Sequence, residues 1–98
     1  MLAKKVLVSA FFFICLAVSA QDVKNQPVSR ILKTATSLME AQQYEAAEQY
    51  FKTGLQQAQV RKDAYYMAQA YEGLGNLYNK TEQNKPAAEA YEKALKLY

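Results

Sequence analysis

Apolar residues recur at intervals of three and four along the chain after position 27, a spacing that places them on one face of an α-helix. Polar segments interrupt this pattern near residues 42–43, 61–62 and 81–84. No run of alternating apolar and polar residues indicates a strand. The pattern therefore predicts an all-α chain of four helices forming two antiparallel hairpins. The four stripes are Val28, Ile31, Leu32, Ala35, Leu38 and Met39; Tyr44, Ala47, Tyr50, Phe51, Leu55 and Ala58; Met67, Tyr71, Leu74 and Tyr78; and Ala87, Ala88, Tyr91, Ala94, Leu95 and Tyr98.

Local signals predict where these helices begin. Pro27 suits the first turn of a helix, where its missing N–H costs nothing, and Pro86 suits the start of the fourth helix in the same way. Asp63 is predicted to be the N-cap of the third helix and Asn84 the cap of the fourth, because their short side chains can accept from backbone N–H groups.

The two hairpins look like copies of one unit. A shift of forty residues sets small residues against small ones and large against large, whereas a shift of forty-one sets Ile31 against Glu72. Such a period is typical of a solenoid built from helical hairpins. The pairs are Ile31 with Tyr71, Ala35 with Gly75, Leu38 with Tyr78, Ala47 with Ala87, Phe51 with Tyr91, Gly54 with Ala94, and Leu55 with Leu95.

A spaced motif lies between Ala68 and Leu97 and consists of Tyr71, Leu74-Gly75, Tyr78, Ala87, Tyr91 and Ala94-Leu95. With these residues the segment resembles a tetratricopeptide repeat (TPR). The resemblance implies an α-solenoid with one repeat over 28–61 and a second, with an incomplete C-terminal cap, over 64–98. A polar leader, 21–27, precedes them. The period of forty exceeds the family's usual thirty-four and implies longer helices around residues 58–66, and Gln42 and Glu82 replace the family's inner-turn glycine. The structural motif residues are Tyr71, Leu74, Gly75, Tyr78, Ala87, Tyr91, Ala94 and Leu95.

Binding in this family uses the concave wall formed by the first helix of each repeat, and the resemblance implies the same groove here. Glu72 stands four residues before Asn76, where members that grip a peptide carboxylate have a lysine, so a carboxylate clamp is not expected. Tyr65 and Tyr66 are adjacent, so one of them should be exposed. The positions implied for the groove are Ser29, Leu32, Thr36, Met39, Glu40, Gln69, Glu72, Asn76, Asn79 and Lys80.

Residues 1–20 have the layout of a secretory signal peptide. Lys4 and Lys5 precede a thirteen-residue apolar run from Val6 to Val18, and Val18-Ser19-Ala20 provides the small residues of a cleavage site. The run is shorter than the roughly 20 residues that span a bilayer, which favours cleavage over an anchor. Cleavage would leave ten basic and nine acidic residues, a net charge of +1, in an exported periplasmic or extracellular protein. Such a charge does not indicate nucleic-acid binding.

Candidate chemistry is sparse. The chain has no His, and its one Cys lies in the predicted signal peptide, which removes the usual general base and the usual soft metal ligands. Glu45 with Glu48 and Glu89 with Glu92 are carboxylate pairs, but nearby lysines favour ion pairs on solvated helix faces. The sequence therefore predicts neither an enzyme nor a cofactor or metal site.

Together these features predict a non-catalytic scaffold that binds a peptide or partner protein in the groove. The alternative is the exported sensor part of a larger signalling protein, such as a sensor kinase or regulator. The last helix stays apolar up to Leu97-Tyr98, so a longer repeat array or self-association through this uncapped helix is also expected. No membrane contact is expected after signal cleavage.

Overall fold

Four α-helices make up the described part of the chain, residues 26–98 of a computed structural model. They are α1 (Val28–Glu40), α2 (Tyr44–Val60), α3 (Ala64–Lys80) and α4 (Asn84–Leu97). No strand occurs between residues 26 and 98, which confirms the prediction of an all-α solenoid. The predicted signal peptide, 1–20, and most of the polar leader lie outside the described residues.

The same three-residue turn joins every pair of successive helices. Gln42, Lys62 and Glu82 occupy equivalent positions twenty residues apart, with left-handed φ values of 64°, 56° and 61°. In the first turn the Gln43 N–H donates to the Leu38 carbonyl and the Gln42 N–H to the Met39 carbonyl, both at 2.9 Å. This is the Schellman pattern, which satisfies the last carbonyls of a helix and is usually formed around glycine.

One of the two predicted caps is correct. The Asp63 carboxylate accepts from the Tyr66 N–H at 3.3 Å. Asn84 is instead the first residue of α4, and Gln83 holds the cap position without a side-chain cap bond. Residues 81–83 form the Schellman turn, so the N-cap of α4 lies one residue earlier than the sequence predicts. The Gln83 amide donates to the Thr81 hydroxyl at 2.9 Å.

The hydrophobic core lies between successive helices, which pack side by side. The main contacts join α1 to α2, α2 to α3 and α3 to α4, with a smaller contact between α1 and α3. Phe51, Ile31 and Leu77 are the largest fully buried side chains, and alanines fill most other core positions. Small residues permit the close approach: a Cβ built on Gly73 would lie 2.2 Å from the Phe51 ring, and one on Gly75 2.7 Å from the Tyr91 ring.

Leu95 departs from the packing that its motif position predicts. Its side chain is 74% exposed. The equivalent residue in the first hairpin, Leu55, packs against the core. Leu55 lies on α2, which α3 follows, whereas no described helix follows α4. The prediction of Leu95 as a packed residue is therefore corrected within residues 26–98.

Candidate functional site

An open groove of about 630 Å³ lies between α1 and α3. Leu32 and Phe51 are nearly fully buried and form its base, so apolar atoms lie beneath a polar rim. α1 and α3 are the first helices of the two hairpins, and α2 packs against both of them. The groove is lined by Pro27, Ser29, Arg30, Leu32, Lys33, Thr36, Phe51, Tyr65, Tyr66, Gln69, Glu72, Gly73 and Asn76.

The structure brings together six of the ten residues that the resemblance assigned to a groove. They share the N-terminal and central turns of the two helices, and they are Ser29, Leu32, Thr36, Gln69, Glu72 and Asn76. The groove ends before the last turn of each helix, because its lining stops at Thr36 on α1 and at Asn76 on α3.

The other four assigned residues lie outside the groove. Met39 is only 7% exposed and belongs to the hydrophobic core, so its assignment to the groove is corrected. Glu40 is the last residue of α1, and Asn79 and Lys80 form the last residues of α3. All three are exposed to solvent but none of them lines the groove. Met39 continues the apolar stripe of α1, which faces the helices behind the groove.

Two cations in the groove wall were missed from the sequence. Arg30 and Lys33 are exposed, and neither forms an ion pair within residues 26–98. Their three-residue spacing puts them on neighbouring parts of one helix face. That spacing was the signal in the sequence that could have identified them. Glu72 is the only carboxylate among the lining residues, so cationic side chains outnumber it at the rim.

Two tyrosines lie at one end of the groove. Tyr65 is 59% exposed, as expected for one member of an adjacent pair. Tyr66 packs against the core, and the two rings meet edge to face with centroids 5.2 Å apart. A ring held in this way presents a large, rigid apolar surface to a ligand at a small entropic cost.

Hydrogen bonds from α4 and from Tyr98, the residue that follows it, hold two of the groove side chains. The Tyr91 hydroxyl donates to Asn76 Oδ1, and the Tyr98 hydroxyl donates to Glu72 Oε2 at 2.9 Å. The bond to Glu72, followed by burial and by the charge of Glu72, raises the pKa of Tyr98 above its ordinary value. With its oxygen occupied, Asn76 keeps its amide N–H groups for a ligand.

The paired carboxylates lie outside this groove, and one member of each pair interacts with other side chains. Glu48 lies 3.5 Å from Lys52, and Glu92 lies 3.5 Å from Lys96, both with the i,i+4 spacing of helix ion pairs. Glu48 also accepts from the Tyr78 hydroxyl at 2.7 Å. Between residues 26 and 98 no group of three or more acidic or Cys side chains could hold a metal ion. No helix in the same range is long and apolar enough to cross a membrane.

Two helical hairpins joined by equivalent turns, with a groove between their first helices, define an α-solenoid. A family model for the tetratricopeptide repeat matches residues 28–98. The chain therefore belongs to the tetratricopeptide repeat family. Repeats of this family generally mediate protein–protein interaction and are generally non-catalytic. No curated protein and no solved structure matches the chain.

Proposed function

We propose that the groove between α1 and α3 binds an extended segment of a partner protein, without catalysis. The observation that carries this proposal is the convergence of side chains from two separate helices on one open groove of about 630 Å³. A volume of this size accommodates a few residues of extended chain. As a scaffold, the chain would act by holding such a partner.

The lining residues indicate which segment would fit best. Gln69 and Asn76 can donate to backbone carbonyls, as the partner's extended main chain requires. Tyr65, which is 59% exposed, offers an apolar surface for one side chain at the end of the groove. Arg30 and Lys33 favour an acidic side chain in the adjacent position by charge complementarity.

The proposed place of action is an exported compartment. It rests on the signal-peptide layout of residues 1–20, and N-terminal sequencing of the protein from fractionated cells tests it. A mature chain beginning at Gln21 supports export, whereas an uncleaved chain in the membrane fraction supports an anchor. A role as the sensor part of a larger signalling protein stays a prediction from the sequence.

A matched pair of double variants tests the groove. Lys33→Ala with Gln69→Ala removes one lysine and one amide from its wall, and Asn79→Ala with Lys80→Ala removes the same two groups from outside it. The probe is an array of extended peptides that combine one apolar residue with acidic, neutral or basic neighbours. Wild type should bind the acidic set best.

The groove variant should lose about tenfold or more in affinity, because two contacts of about 1 kcal/mol each are removed. The control should bind like wild type, and circular dichroism should show both variants folded. Equal losses in the two variants, or binding that is indifferent to both, would remove the groove from consideration. A groove-dependent preference for basic peptides would refute only the charge assignment.

A further inference from the structure

The groove holds side chains of opposite charge that do not pair with one another. Arg30 and Lys33 lie on α1 and Glu72 lies on α3, and all three are exposed and line the groove. Within residues 26–98 neither cation has a nitrogen within 4.0 Å of a carboxylate oxygen. The three charged groups can therefore meet charges on a bound segment.

The repeat sets Glu72 across the groove from the two cations. α1 and α3 end forty residues apart, and so do the left-handed residues of the turns that follow them. Residues forty apart thus lie at the same level of the two helices, and Glu72 is level with Leu32, which lies between Arg30 and Lys33 in α1. The groove has a cationic wall on α1 and an acidic side chain at the same level on α3. Three pairs of side chains in this register line it: Ser29 with Gln69, Leu32 with Glu72, and Thr36 with Asn76.

Glu72 keeps one carboxylate oxygen for a ligand. The Tyr98 hydroxyl donates to Glu72 Oε2 at 2.9 Å. A carboxylate accepts at both of its oxygens, and no group within residues 26–98 donates to Oε1. A basic side chain of a bound segment can donate to this oxygen, while an acidic side chain of the same segment can accept from Arg30 or Lys33.

We propose that the groove selects an extended segment in which an acidic and a basic residue are adjacent. Successive side chains of an extended chain point to opposite sides, so neighbours along the segment face different walls. The acidic residue pairs with Arg30 or Lys33 on α1, and the basic residue beside it pairs with Glu72 on α3. This partner chemistry rests on the proposed function, because it concerns the same groove. Complementary charges on both walls provide specificity and fix the register of the segment.

Fluorescence anisotropy with the full chain and three labelled peptides tests this selection. Each peptide carries one apolar residue and one aspartate. The adjacent peptide has a lysine beside the aspartate, the spaced peptide has it two residues away, and the acid-only peptide has glutamine in place of the lysine. The adjacent peptide should bind about two- to fivefold more tightly than either of the others, the range expected for one exposed ion pair.

A pair of matched variants identifies the carboxylate that reads the basic residue. Glu72→Gln should abolish the difference between the adjacent and acid-only peptides, because the amide can still accept from Tyr98 but carries no charge. The control is Glu40→Gln, which removes an exposed carboxylate of α1 outside the groove and should leave the difference unchanged. Circular dichroism should show both variants folded, since exposed sites tolerate substitution.

Four results would overturn the selection of adjacent opposite charges. If the adjacent and acid-only peptides bind wild type equally well, the selection is wrong and the proposed function stands. If the adjacent and spaced peptides bind equally well, the two charges are not read from opposite walls. A difference that survives in Glu72→Gln, or that disappears in Glu40→Gln as well, assigns the effect to another group. If no peptide binds wild type, the proposed function is refuted and the selection with it.

Discussion

Replacing Gly73 by alanine should destabilise the protein, although alanine is the better helix former. In an ordinary helix interior this change stabilises by about 0.8–1.0 kcal/mol. Here the new Cβ would lie 2.2 Å from Cε1 and 2.7 Å from both Cδ1 and Cζ of Phe51. No real contact is that short, so either the ring or the helix must move.

The Phe51 ring cannot move cheaply, because its residue is 1% exposed and packed in the core. Overpacking of such a site costs about 1–3 kcal/mol, and the severity of this contact puts it at the upper end. After subtracting the propensity gain, we expect a net loss of about 1–2 kcal/mol. For a domain of this size that corresponds to a fall in Tm of about 5–15 °C in a thermal melt.

Two further variants separate the contact from a general effect of the substitution. Gly75→Ala meets the Tyr91 ring at 2.7 Å, but Tyr91 is half-buried and can shift outward, so its stability should change by less than that of Gly73→Ala. In a Phe51→Leu background, Gly73→Ala should become neutral or stabilising, because the obstructing ring atoms are gone. A Gly73→Ala protein that melts above wild type in the native background would refute the reasoning.

Two more predictions concern the turns and the partly buried hydroxyl of Tyr78. Glu82→Gly should raise the free energy of unfolding by about 0.5–1 kcal/mol, since φ is 61° at this position and glycine adopts that value without strain. In urea titrations the control Glu82→Ala should show no such gain. An equal gain in both variants would mean that removal of the charge, and not the backbone conformation, is responsible. Burial, and then the hydrogen bond to Glu48 and the charge of Glu48, raise the pKa of Tyr78 to about 12. The folded state thus holds this proton more tightly than the unfolded chain, so the stabilisation is complete below pH 10 and is lost as pH rises through 12. The stability difference between wild type and Tyr78→Phe should therefore shrink over that interval, and parallel curves would contradict the assignment.

The apolar stripes were sufficient to predict the helices and most of the core. Ile31, Phe51 and Leu74 are buried where their three- and four-residue spacing puts them. The prediction succeeds because an amphipathic helix must bury its one apolar face against other helices. The length of the groove was not predictable, because it depends on how α1 and α3 are placed relative to each other. Met39 was misassigned because it belongs to the apolar stripe of α1, which packs in the core behind the groove.

The errors at Asn84 and Leu95 have a different origin. Asn84 is a good capping residue in isolation, but the Schellman turn sets the register of the following helix and leaves the cap to Gln83. The burial of a motif leucine depends on a neighbouring helix, which Leu55 has and Leu95 lacks within residues 26–98. Arg30 and Lys33 could not be distinguished from ordinary surface cations without knowing that another helix faces them.

The shared conformation of the three turns determines which insertions the fold can accept. α2, α3 and α4 begin at residues 44, 64 and 84, so α2 and α3 each occupy twenty residues together with the turn that follows them. A duplication of forty residues could therefore be inserted at any turn and leave every later helix facing its core. A single extra residue would rotate the next helix by about 100°, since a turn takes 3.6 residues, and would swing its apolar face into solvent. Growth in whole modules is permitted by this geometry, and gradual lengthening of the connections is not.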